Sequence, residues 1–144
     1  MMSGKFTAYL IEPTFGTIRY VSIDRGLGKQ SIKSLIGCTM MDAVHLGKRH
    51  LAYCDDNGFG DGLRSVCELV GYPRPFAGNL LVAGLDGEGE LTAPHQTISA
   101  IADLFAIVRP VFDPLLREDN APDLSGTTRL NVRIERRTRV IMTS

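Results

Sequence analysis

The stretch from Ile36 to Leu91 constrains this chain most, because short segments of alternating character are punctuated there by glycine-rich acidic turns. It reads IGCTMMDAVHLGKRHLAYCDDNGFGDG and, further on, FAGNLLVAGLDGEGEL. A period of two fits half-buried strands, and tight turns make successive strands antiparallel neighbours. The clearest hairpin is Thr39 to Leu46 with His50 to Asp55, joined by Gly47-Lys48-Arg49. Pairing Leu46 with His50 sets Asp42, Val44, Leu46, His50 and Cys54 on one face. Met41, Ala43, His45, Leu51 and Tyr53 fall on the other.

The flanking segments extend the pattern. Phe6 to Ile11 and Thr17 to Ile23 form a second hairpin about Thr14-Phe15-Gly16. Ser31 caps a short helix through Leu35 that Gly37 closes. Leu63, Val66, Cys67 and Val70 have helical spacing, so Gly62 to Gly71 is read as a helix in preference to an irregular crossing. Tyr72 to Pro75 is an extended connector. Asn79 to Leu85 has no polar face and belongs at the centre of a sheet, and the DGEGE that follows is an exposed turn.

Thr97 to Val108 carries the longest apolar stripe, through Ile98, Ile101, Ala102, Leu104 (or Phe105) and Val108, with Pro94 before and Pro110 after. It predicts the main helix, and Phe112 to Leu116 adds a further helical turn. The fold expected is α+β, a mostly antiparallel sheet of about five or six strands with that one main helix packed on one face. Residues 1–119 form the core domain, 120–126 (NAPDLSG) a linker, and 127–144 an arginine-rich β tail.

In the tail, Leu130, Val132, Ile134, Val140 and Met142 lie on one parity, and Arg129, Arg133, Arg137 and Arg139 on the other. Thr127 to Ser144 holds five arginines against the single acid Glu135. A solvated strand face accounts for such a row, and so does a docking surface for an acidic protein, a phosphate-bearing ligand or nucleic acid. An apolar strand face must be covered by its own sheet or by a second copy. The reading taken is a homodimer with Thr127 to Met142 in the interface and the arginines outward.

Composition weighs against several function classes. Sixteen basic residues balance sixteen acidic ones, whereas a nucleic-acid binder draws affinity from a basic excess. No apolar run reaches the roughly 20 residues of a membrane span, and the N-terminus lacks the pattern of a signal peptide. A cytoplasmic protein is expected, with Cys38, Cys54 and Cys67 as reduced thiols packed like small hydrophobes.

Motifs for chemistry are missing. His45, His50, Cys54 and His95 match no zinc spacing, and the hairpin pairing sends His45 and His50 to opposite faces. Counted as a calcium loop from Asp55, the chain puts Phe59 and Val66 where oxygen ligands are required. Gly58, Gly60 and Gly62 fit neither a dinucleotide fingerprint nor a phosphate loop. No serine or cysteine stands in a nucleophile motif. No catalytic residue, metal or cofactor is therefore expected.

The segments AYLIEPTFGTIRYVSID, SIKSLIGCTMMDAVHL, HLAYCDDNGFGDGL and FAGNLLVAGLDGEGELTAPHQTISAIADLF resemble a family of small phage and plasmid proteins known as domain of unknown function 3846. The matching pieces are Ile36-Gly37, the acidic turn Asp55 to Gly58, the strand Gly78 to Gly84 and Leu91-Thr92, within about Ala8 to Phe105. Where the family has G-L-P-x-N, Arg64-Ser65 follows Gly62-Leu63 here, and Asn79 comes after a longer insert. The resemblance implies a mobile-element accessory protein and carries over no catalytic residue. Three readings follow: a non-enzymatic accessory protein acting by protein binding or self-association, a small-molecule or nucleotide-binding module, and an enzyme whose site has no recognised motif.

Overall fold

A computed structural model of the chain describes residues 4–56, 66–114, 130–137 and 141–142. Within them, eleven strands and two helices run in the order β1 (Lys5–Glu12), β2 (Thr17–Asp24), α1 (Lys29–Ile36), β3 (Met41–Leu46), β4 (His50–Asp55), β5 (Val66–Leu69), β6 (Phe76–Ala77), β7 (Leu80–Leu85), β8 (Leu91–Thr92), α2 (Ile98–Ala102), β9 (Phe105–Pro114), β10 (Leu130–Arg137) and β11 (Ile141–Met142). They form two sheets. The larger runs β11-β2-β1-β7-β4-β3, with β8 paired to the end of β7, and the smaller runs β10-β9-β5-β6. Every pairing is antiparallel except that of β11 with β2.

Both hairpins form as the alternation requires. Glu12 pairs with Thr17 across the first, and Leu46 with His50 across the second. β7 is central, held by β1 on one side and β4 on the other. Alternation then splits the core in two. Tyr9, Ile11, Ala52, Cys54, Leu80 and Val82 join one cluster, while Ala8, Leu10, Tyr53, Leu81 and Ala83 join the other. The second cluster takes Ile32 and Ile36 from α1. The first takes Ile98, Ile101 and Ala102 from α2, with Cys67, Leu69, Phe76, Phe105 and Ile107 from the smaller sheet. The larger sheet is thus buried on both faces. Each buried aliphatic side chain contributes about 1.5–3 kcal/mol, more than a cap or a single hydrogen bond, so this burial and not local propensity fixes the layers.

Three expectations are corrected. One sheet of five or six strands becomes two sheets. The expected main helix over Thr97 to Val108 is cut to five residues, Ile98–Ala102, and Phe105–Pro114 is a strand that includes Phe112. From Gly62 to Gly71 the described residues begin at Val66, and Val66–Leu69 is also a strand, alternately half-buried and buried. The last two share one cause: these segments pair with each other, Cys67 with Ile107 and Leu69 with Phe105. That ladder outweighs any weak helical preference of either alone. The helix α1 also begins before Ser31, at Lys29, and ends as expected at Gly37.

Within the tail, β10 pairs with β9 of the same chain from Leu130 to Arg137. The linker expected at 120–126 lies outside the described residues, as do most of the calcium-like loop and its glycines at 58, 60 and 62.

Leu81 is fully buried and Leu27 is 61% exposed. Leu81→Asp places an unpaired charge against the α1 cluster and is expected to cost several kcal/mol, enough to unfold a domain of this size. Leu27→Asp should stay within about 0.5 kcal/mol of the parent. Urea unfolding of the two variants checks this, and a native-like Leu81→Asp would contradict the layer assignment.

Candidate functional site

The segment from Ala93 to Thr97 links β8 to α2 and lies directly on the larger sheet. Two polar side chains hold it there. Nε2 of His50, on β4, accepts from the backbone N–H of His95 at 3.0 Å and from that of Gln96 at 3.4 Å. The Tyr9 hydroxyl, on β1, donates to the Gln96 carbonyl at 2.8 Å. Between them runs β7, whose Gly84 pairs with His50. A Cβ at Gly84 would run into the Ala93 carbonyl and the backbone of Pro94. Glycine here is a requirement of close approach. Thr97 then caps α2, its Oγ1 accepting from the Ala100 N–H at 3.1 Å.

His95 completes the anchor. Its Nε2–H donates to the Leu85 carbonyl at 2.7 Å, so Nδ1 is the acceptor for Arg49 Nη2 at 3.2 Å. The rings of His50 and His95 meet edge to face at 5.6 Å. His50 is buried, and its two bonds require an unprotonated Nε2. Burial foremost, then His95 and Arg49, holds its imidazole below the ordinary histidine range.

Beside this anchor opens a cleft of about 560 Å³. His45, Leu46, Gly47 and His50 form one wall, Leu69 to Tyr72 a second, and Gln96, Ala100, Ile101 and Leu104 the third. The smaller sheet, α2 and the second hairpin each supply one side. Among the described residues its lining contains no lysine, arginine, aspartate or glutamate. At the rim, Val70 is 74% exposed.

Candidate groups elsewhere are quiet. Burial and, next, Asp42 push the Cys54 thiol up to about 11, and burial also raises Cys67. Protonated thiols make poor nucleophiles. Among the described residues, no three His, Cys, Asp or Glu side chains are placed to hold a metal ion, and no helix is long and apolar enough to cross a membrane. Arg133 and Arg137 stand opposite Val111 and Ile107 on β10. Arg129 and Arg139 lie outside the described residues.

The family model described as Domain of unknown function (DUF3846) matches residues 6–106. The chain belongs to that family. The matched span takes in the whole anchor, from Tyr9 to Gln96, and every residue lining the cleft. The chain is similar to "Uncharacterized protein y4iR" of Sinorhizobium fredii (strain NBRC 101917 / NGR234), 32% identical over 144 residues, covering 96% of this chain and 89% of that protein. It is also similar to "Protein PsiB" of Rhizobium leguminosarum bv. phaseoli, 29% identical over 118 residues, covering 78% of this chain and 88% of that one. No solved structure matches.

Sequence reasoning separated His45 from His50, and the fold agrees: His50 is buried and His45 exposed. It did not bring His50 to His95, nor find Tyr9 or Gln96. One signal was present in Gly84, a glycine inside an otherwise apolar central strand.

Gly84→Ala is expected to cost roughly 2–3 kcal/mol through the backbone collision. Gly87→Ala, which meets open space, should be near neutral. Urea unfolding compares them.

The folded state holds His50 below its unfolded value, so its contribution is complete above about pH 6.5 and is lost as the pH falls through its folded pKa. His50→Gln keeps an acceptor but does not titrate. Unfolding free energies at about pH 7.5 and pH 5.5 should therefore fall more for the parent than for His50→Gln. Equal losses would remove His50 as the accepting group.

Proposed function

We propose that the protein is a non-enzymatic binding module, a cytoplasmic accessory of a mobile genetic element, and that the cleft beside His50 is its recognition surface. The observation that carries this is the state of His50. It is the buried ionisable group of the cleft, and its basic nitrogen is committed to two backbone N–H groups. A general base needs that lone pair free. What remains is a concave, mainly apolar wall of the size at which small-ligand sites occur. The resemblance to small phage and plasmid proteins supports the mobile-element part.

A second reading, self-association, rests on β10. It is the outer strand of the smaller sheet, and its register sets Leu130, Val132 and Ile134 opposite Pro114, Phe112 and Pro110. One row of this ladder is thus apolar from Leu130 to Ile134, and Arg136 opposite Val108 ends it. A second copy covering that row gives a homodimer, with Arg133 and Arg137 in the opposite row as a surface for an acidic or phosphate-bearing partner.

Thermal denaturation tests the first reading. A ligand at about one hundred times its dissociation constant adds roughly 2.7 kcal/mol. Nucleotides and divalent metals should leave the melting temperature unchanged, and apolar compounds should raise it. A saturable nucleotide or metal shift would replace the reading. Sedimentation velocity at micromolar concentration tests the second, with a dimer expected and a monomer ending it.

A further inference from the structure

We infer that the cleft takes an uncharged, mainly apolar small molecule carrying one neutral polar group, such as a carbonyl, amide or hydroxyl. This rests on the cleft being the recognition surface and adds the chemistry of its occupant.

The inference follows from what the wall can and cannot solvate. Leu46, Leu69, Ile101 and Leu104 supply the apolar contact. An ion entering among them sheds water, and among the described residues the lining holds no acidic residue, lysine or arginine to meet it, its histidines being the exposed His45 and the committed His50. Arg49, the cation adjoining His50 in the chain, is exposed and bonded to the His95 ring. His50 cannot become the missing cation without giving up the bonds that hold Gln96 and the α2 wall in place. Apart from the two histidines, the polar side chains of the described lining, the Gln96 amide and the Tyr72 hydroxyl, form a donor-and-acceptor set without formal charge. A neutral partner matches it.

N-phenyl-1-naphthylamine and 8-anilinonaphthalene-1-sulfonate share one aromatic skeleton and differ by a sulfonate, so their fluorescence on the full chain isolates the effect of charge. The uncharged probe should bind saturably, with one site per chain, and at least tenfold more tightly than the sulfonate. Ala100→Trp, which fills the cleft from α2, should weaken it at least tenfold. So should Val70→Glu, an exposed rim change that cannot compromise the core. Leu27→Asp, an exposed apolar residue elsewhere, should change nothing. If the sulfonate binds as tightly and is equally sensitive to the two cleft variants, the cleft is a recognition surface but the occupant is not uncharged, and this inference is overturned. If neither probe saturates, or if binding ignores both cleft variants, the recognition surface itself is wrong and the inference falls with it.

Discussion

Burial of β7 on both faces is the constraint from which the layers follow. Leu80 and Val82 look into one cluster, Leu81 and Ala83 into the other, and all four are fully buried. A strand with no solvent face needs cover on two sides, and among the described residues there is one eight-residue helix to give. That helix, α1, covers one side. The other needs a second sheet with α2, and the chain must cross the first sheet to build it. A crossing segment buries backbone N–H and C=O groups, and these need partners. Tyr9 and His50 are those partners, one on each strand flanking β7.

The two glycines that bracket the family-matching strand Gly78 to Gly84 have separate physical reasons. Gly78 enters β7 with φ at 84°, where a side chain is strained. Gly84 leaves it under Ala93 and Pro94. The two glycines thus mark how the strand begins and what passes over its end. The cleft is a consequence of the same crossing. It lies where α2 and the turn after β5 stand off from the turn between β3 and β4, leaving an apolar wall that none of the described elements fills.

Much of the larger sheet was legible because its information is local. The hairpins β1–β2 and β3–β4 are neighbours in sequence, their turns are short, and a period of two fixes which residues face which cluster. The smaller sheet was not legible, for the opposite reason. Val66 to Leu69 and Phe105 to Val108 are both short apolar runs, and such runs fit a helix stripe as well as a strand. Each is held as a strand by pairing with the other. The two misread segments were one missing ladder, and a segment read alone cannot contain its partner.

The candidate site lies at that same boundary between local and distant information. His50 and His95 share no motif, and their approach depends on the crossing over β7. Still, the hairpin register fixes the face of His50, and the unbroken apolar run from Leu80 places β7 at the centre of the sheet. Gly84 is then the anomaly. Glycine weakens a strand interior, so its presence in a central strand implies that another backbone comes close. The nearest segment able to do so follows the DGEGE turn, and it contains Pro94, which cannot donate to a ladder, and His95. A buried acceptor beside Gly84 then becomes an expectation in its own right, because the crossing backbone brings N–H groups that must be met. His50 is the residue that the register puts there.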